Sequence, residues 1–438
     1  MSRPSRPFVA WLWHELTRPR GPHRHRFYRG GRRSKAGVAL LMTITSVMLM
    51  SILVTEIGFV AVQRATVAAQ YRDEVAAEYL AKSGLKFHHL VLIASQTIGQ
   101  NPMIQQFAPM LGGNGAELWQ AIPFIDTRFL RMVIVDAPTD SDDLAEVEAA
   151  GGLTDEQIEE SRSEGSSLTK RSFLDFDGDF NSTVTDMERF INVRTIGQTL
   201  QNRTSAALVL EDPVGAQLHA MFMQEDTREW LDRQNLTSEE LIGNLADWVD
   251  IDSTRIHQGG DEDALYDDGD DDNSYRTKNG PFDTLEEIRL VDGWHRDGVW
   301  ERVGRRLTVY GSNNKVNVLT APPAVLEGVV AYCAGRPVDI QIQEAVQAFI
   351  ARRNMSPLDS GLPPIRDVAG FTQAFANPID AAQPLVFIEG RAEQIVKFQS
   401  KIFRIRSVGE VGDARAEAEM IVDFENGGTG RIVYWNVR

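Results

Sequence analysis

The hydrophobic pattern of this chain changes character along its length. From Val38 to Val62 nearly every position is apolar, and Glu56 is the first acid in the run. A run of that length crosses a hydrocarbon core of about 30 Å as a helix, the form in which peptide groups pair internally without water. Past Val62 the pattern becomes amphipathic. Ala65, Ala68, Ala69, Val75, Ala76, Tyr79, Leu80, Leu85 and Leu90 recur at helical spacing, and no proline falls between Val38 and Asn101. The pattern predicts one stalk-like helix of about 55–60 residues, ~85 Å long.

Further along, 102–115 is a Gly- and Pro-rich loop, 129–135 reads as a strand, and 139–170 reads as a polar surface excursion. From about Thr195 the period becomes helical, at 200–210, 215–228 and 236–250. Thr237 and Glu240 form a capping box for the third of these, with Leu241, Leu245, Trp248 and Val249 as its core face. Asp283, with Glu286 three residues on, reads as a second such start, and Pro322-Pro323 as the start of another helix. Period two returns at 402–406, 416–422 and 431–435 around glycine turns. These strands are expected to rejoin the sheet begun near Phe129 and to pack on the amphipathic half of the long helix. The fold expected is therefore α+β, with an antiparallel sheet and an all-helical insertion between its strands. Its segments are a leader (1–37), the long helix (38–100, with 38–62 across the membrane), a first α/β part (101–194), the insertion (195–392) and the closing strands (393–438).

Charge narrows the functional classes. The net charge is −17; ten Lys/Arg and Glu15 give the stretch before Val38 a charge of +9, so the remainder carries −26. Nucleic-acid phosphates repel such a surface, so no nucleic-acid partner is expected, whereas clustered carboxylates suit a hard cation. A cationic N-terminal flank stays cytoplasmic, which sends everything after Val62 across the membrane. A secretory signal peptide has a shorter apolar region and a small-residue cleavage site, and here helix-compatible sequence continues instead. Cys333 is the only cysteine, so no intramolecular disulfide can form. The chain contains no His-Glu-x-x-His, phosphate loop, dinucleotide fingerprint or nucleophile elbow, and the expectation is a non-enzyme.

Two acidic stretches are candidate calcium sites. Asp175, Asp177, Asp179 and Asn181 alternate as the early ligands of a calcium loop do, but Phe180 stands at the sixth position, where an EF-hand needs Gly, and Asp186 at the twelfth. A solvated acidic turn is the competing reading. The second stretch follows the 236–250 helix and offers Asp250, Asp252, Asp261, Asp263, Asp267, Asp268 and Asp270. Mutual repulsion makes it either an extended solvated loop or a site that a dication would relieve.

A cationic leader ending in Gly37, an apolar residue at Val38 and a long half-lipophilic helix resemble a type IV pilin-like precursor. The resemblance implies that prepilin peptidase cuts after Gly37 and methylates Val38. Most members carry Glu at the fifth mature position, where this chain has Met42. The K-type minor pseudopilin of type II secretion is the member that lacks this Glu, as suits a tip subunit with no neighbour above it. Three further blocks resemble the same family: Asn244–Ser253 (NLADWVDIDS) with Tyr275–Gly293, then Leu307–Val329, then 402–438. The family implies a calcium-binding helical insertion, I- and J-type minor pseudopilins and the major pseudopilin as partners, and contact with cargo or the outer-membrane channel. It also implies a single-pass protein of the bacterial inner membrane, with its C-terminal domain in the periplasm. The insertion resembles helix-hairpin-helix folds as well. The alternative reading is therefore an uncleaved, membrane-anchored calcium- or DNA-binding module.

Overall fold

The computed structural model describes residues 33–99, 118–122, 124–127, 177–198, 204–267, 274–355, 361–379 and 383–438. The chain divides into two compact units, Met1–Ala69 and Gln70–Arg438. One helix, α1 (Arg33–Gly99, 67 residues), contributes to both. Among the described residues it begins at Arg33, ahead of the expected Val38, and continues through Gly37, which weakens a helix without ending it. In the first unit every large apolar side chain from Val38 to Val67 is exposed, which in water would be a large unburied surface and suits lipid instead.

In the second unit the burial pattern of α1 becomes one-sided, and Ala77, Ala81, Leu85 and Leu92 are fully buried. The sheet contains β1 (Phe124–Asp126), β2 (Asp179–Asp186), β7 (Ile402–Val411), β8 (Ala414–Asp423) and β9 (Arg431–Val437) in that spatial order, every pair antiparallel. Gly412-Asp413 closes the tight β7–β8 turn, with Gly412 at a positive φ that other residues seldom adopt. α1 crosses β7 where neither carries a bulky group. A Cβ on Gly409 would stand 2.1 Å from the Ala77 carbonyl oxygen, and one on Gly84 would stand 2.3 Å from Ser407 Oγ. Over this contact Phe403, Ile405, Ala418, Met420, Val422 and Phe424 form a compact core with Ala81, Leu85 and Leu92.

Between the neighbouring strands β2 and β7 lies the helical block. Its elements begin with two-residue strands that close its edges: β3 (Ile191–Asn192) pairs parallel with β4 (Leu307–Thr308), and β5 (Val316–Asn317) with β6 (Val396–Lys397). After the short α2 (Leu118–Ala121) of the sheet region, its helices are α3 (Ser205–Leu210), α4 (Pro213–Phe222), α5 (Glu225–Gln234), α6 (Ser238–Val249), α7 (Asp297–Arg302), α8 (Pro323–Ala334), α9 (Ile340–Asn354), α10 (Val368–Ala376) and α11 (Arg391–Ile395). Local chemistry sets their ends. Asp212, Thr237, Asp339 and Asp367 each accept a backbone N–H in the first turn of the helix they cap, and Gly335 ends α8 in the left-handed conformation. One core runs from Ile191 to Val396, with Trp294, Phe222, Phe349, Phe371 and Phe375 among its largest fully buried side chains.

Two sequence expectations are corrected. The stretch from Asp179 to Asp186 is strand β2 rather than an acidic turn; Phe180 and Ser182 are buried and Asp179 and Asn181 are exposed, which is the alternation of a strand. Glu286–Leu290 is a 3₁₀ turn, and Glu287, not Glu286, accepts the Asp283 N–H at 2.8 Å. Of the helix expected at 200–210, the described part begins at Ser205, capped by Thr204, and 200–203 lie outside the described residues. The strand expected at 129–135 lies outside the described residues.

Candidate functional site

The sequence Leu241–Asp250 winds α6 so that its apolar positions enter the core. One acid, Asp247, is carried in with them, and Asp250 follows at the C-cap. The chain then turns back on itself. Thr254 and Asp261 bridge, Arg255 N–H donates to Gly260 C=O at 3.0 Å, and Gln258, Gly259 and Gly260 take the positive φ values that so tight a loop needs. This brings Glu262 against the end of α6. Asp247, Asp250 and Glu262 are each buried, and one carboxylate oxygen from each lies within 4.8 Å of the other two.

The electrostatics of this cluster are strained. Asp247 Oδ1 accepts the Ile256 N–H at 3.0 Å, but neither Asp247 Oδ2 nor either Glu262 oxygen has a hydrogen-bond partner among the described residues. Burial, then repulsion from Asp250 and Asp252, pushes the Asp247 carboxyl up to about 7. Burial and the charges of Asp250, Asp247 and Asp252 push Glu262 up to about 8. Asp250 sits where the helix terminus is itself negative, which adds to the repulsion. Convergent carboxylate oxygens with unsatisfied lone pairs are the donor set of a hard divalent cation.

Of the residues picked from the sequence, Asp250 is in the cluster and Asp252 lies beside it, its Oδ1 accepting the Thr254 N–H at 2.8 Å. Asp261 Oδ1 accepts the Asp263 N–H, and Asp263 Oδ1 accepts both the N–H and the hydroxyl of Thr277, so these two hold the loop rather than join the cluster. Asp267 accepts the Ser274 hydroxyl at 3.2 Å; Asp268 and Asp270 lie outside the described residues. Sequence reasoning missed Asp247 and Glu262. The only signal was an acid set between the apolar neighbours Ala246 and Trp248 of α6. Next to the cluster Trp248, Tyr266 and Tyr275 pack ring against ring, with centroids 5.0–6.3 Å apart, and Tyr275 OH donates to Leu290 C=O at 2.7 Å. In the other acidic stretch, Asp177 precedes β2, Asp179 and Asn181 pair along it with Glu410 and Val408, and Asp175 lies outside the described residues.

At the other end of the chain, Gly37, Val38 and Met42 all lie on exposed helix. Among the described residues nothing approaches within 4 Å of where a Gly37 Cβ would stand.

A long helix, apolar and uncovered at its start and then laid on an antiparallel sheet interrupted by a helical block, defines a pilin-like protein. Within that class, residues 214–312 match the family model of type II secretion system protein K, and this match bears out the resemblance read from the sequence. The chain is also similar in fold to a chain of the GspK–GspI–GspJ complex from the enterotoxigenic Escherichia coli type 2 secretion system. The TM-score is 0.50 at 13% identity, covering 86% of this chain and 99% of that one. No curated protein matches. Both comparisons point to type II secretion protein K as what this chain is similar to, by the family model over residues 214–312 and by fold over most of the chain.

Proposed function

We propose that this chain is the tip subunit of a type II secretion pseudopilus, a non-enzymatic part that nucleates assembly and aids export of folded proteins. The observation that carries this reading is the helical block with its own large core, set between two adjacent strands of a pilin-like sheet. Such an added bulk suits a cap better than a repeating fibre subunit. The apolar start of α1 anchors the precursor in the inner membrane, with the cationic leader cytoplasmic and the sheet and block periplasmic. Prepilin peptidase then cuts between Gly37 and Val38 and methylates Val38. I- and J-type minor pseudopilins, the partners in the Escherichia coli complex, join it above the major pseudopilin, and small residues along the helix allow close packing. Cargo or the outer-membrane channel meets the exposed block. Met42, in place of a carboxylate, leaves the first turns of the mature helix without a charged side chain to bury in lipid.

Intact mass of the chain recovered from membranes tests the first step. The expected product begins at methylated Val38, and Gly37→Leu should block processing and abolish secretion. A chain starting at Met1 in cells with active peptidase would sink the reading and favour the uncleaved anchored module. Calcium is the proposed ligand of Asp247, Asp250 and Glu262. At a hundredfold excess over Kd it should stabilise the purified chain by about 2.7 kcal/mol over chelator. Glu262→Gln should remove most of that shift, and no calcium-dependent shift in the unsubstituted chain would rule the site out.

A further inference from the structure

The helical block joins the sheet region through three stretches: 186–193 leading in, 395–401 leading out, and an arch at 309–320. All three meet at one fully buried carboxylate. Asp186, at the end of β2, accepts on Oδ1 the Glu188 N–H at 2.8 Å. Its Oδ2 accepts three donors: Asn317 Nδ2 at 3.2 Å, the Thr320 hydroxyl at 2.5 Å and the Ser400 hydroxyl at 2.5 Å. Asn317 also donates to Ser400 Oγ at 2.7 Å. Two residues on, Glu188 pairs with Lys397 and accepts the Lys401 N–H at 2.6 Å. The same outgoing stretch grips the long helix: Lys401 Nζ donates to Gln96 Oε1 at 2.8 Å, and Gln96 Nε2 donates to Ser400 C=O at 3.3 Å. On the arch, Glu425 from the end of the sheet accepts Ser312 N–H, the Ser312 hydroxyl and Asn313 Nδ2 on a single oxygen, while Asn192 Nδ2 donates to Asn313 C=O at 2.8 Å.

We infer that this polar seam is a mechanical coupling, which fixes the orientation of the helical block against the C-terminal half of α1 through Asp186. Apolar packing between two cores is non-directional and tolerates sliding, whereas a carboxylate holding four donors from different segments has one geometry that satisfies all of them. The continuous path Gln96, Ser400/Lys401, Asp186/Glu188, Asn317/Thr320 ends a few residues before α8, a central helix of the block. A displacement of the helix along its axis is therefore passed on to the block as a rigid-body movement rather than absorbed at a hinge. The coupling follows from the seam itself and does not depend on the tip reading.

Paired spin labels on the full chain in detergent read the orientation directly. Tyr79→Cys on the exposed face of α1 and Glu229→Cys on α5 are both exposed, while the native Cys333 is buried and resists labelling. The unsubstituted seam should give one narrow distance distribution. Asp186→Asn, which puts a donor where Thr320 and Ser400 donate, should at least double its width. Should Asp186→Asn fail to fold, Thr320→Val and Ser400→Ala each delete one donor and should broaden the distribution in steps. An unchanged width in the variants, even with a lowered Tm, would make the seam a stability feature only and overturn the coupling. A distribution already broad with the seam intact would overturn it as well.

Discussion

The sheet region and the helical block solve the burial problem in different ways. In the sheet, backbones approach closely because side chains are missing: Gly84, Gly409 and Ala77 bring α1 onto β7 with almost nothing between them. The block is filled by large side chains, Trp294 and five phenylalanines among them, and it buries three acids at one point. The first design is intolerant of added volume. The second is intolerant of lost volume and of unbalanced charge.

The largest expected effects come from truncating one core at a time. Trp294 is fully buried and its Nε1 donates to Leu241 C=O at 2.8 Å, while Phe403 packs edge-on against Trp119 at 5.2 Å. Trp294→Ala and Phe403→Ala should each cost about 3–5 kcal/mol. Urea denaturation gives the magnitude, and amide exchange should show the first opening in 205–395 and the second in 402–423. If both variants open the same segments, the two cores are one.

Opposite pH slopes sharpen the contrast. His88, fully buried between Ser182 Oγ at 2.6 Å and Ile122 C=O at 3.3 Å, is lowered by burial to about 4. Its folded value lies below its unfolded value of about 6.5. Stability of the sheet is therefore complete above pH 6.5 and falls by about 1.4 kcal/mol per pH unit down to about 4. His88→Gln should flatten that slope. Asp247 and Glu262 have raised values, so in chelator their contribution is complete near pH 4 and is lost as pH rises towards 7 and 8. Asp247→Asn should reduce this alkaline loss, as should saturating calcium. Denaturation curves from pH 4 to 8 read both.

A smaller effect tests the close approach. Gly409→Ala should cost about 1–3 kcal/mol, because the added methyl meets helix backbone that cannot rotate away. Gly427→Ala, where nothing lies within 4 Å, should cost less despite its positive φ. Equal losses at the two glycines would mean that α1 can lift off β7 at little cost.

Legibility in the sequence followed the same division. The last three strands were readable because period two persists through Phe403, Ile405, Ala418 and Val422 with glycines between them, and Thr237 and Pro323 announced their helices through capping chemistry alone. β2 was hidden because its first two exposed positions are Asp179 and Asn181, residues that signal turns, and the strand formers Thr183, Val184 and Thr185 come only after them. The carboxylate cluster was half visible. Asp250 stands in an obvious acidic stretch, but Asp247 looks like the polar side of α6, and nothing separates Glu262 from Asp261 and Asp263 until the 254–261 loop closes. Spacing along a chain cannot reveal ligands that a turn brings together.

The seating of the block between β2 and β7 also sets an order of events in time. Ser400 and Asp186 are 214 residues apart in sequence yet hydrogen-bonded, and the β2–β7 ladder beside them has the same long reach. Closing such a loop from an open chain is slow, because its entropy must be lost before any pairing compensates. Once the block is compact, its core, which reaches from Ile191 to Val396, holds 186 and 402 near each other, so that loop is closed before the strands pair. This order predicts that a chain whose block fails to collapse leaves β7 and β8 as a hairpin with unpaired, aggregation-prone edges.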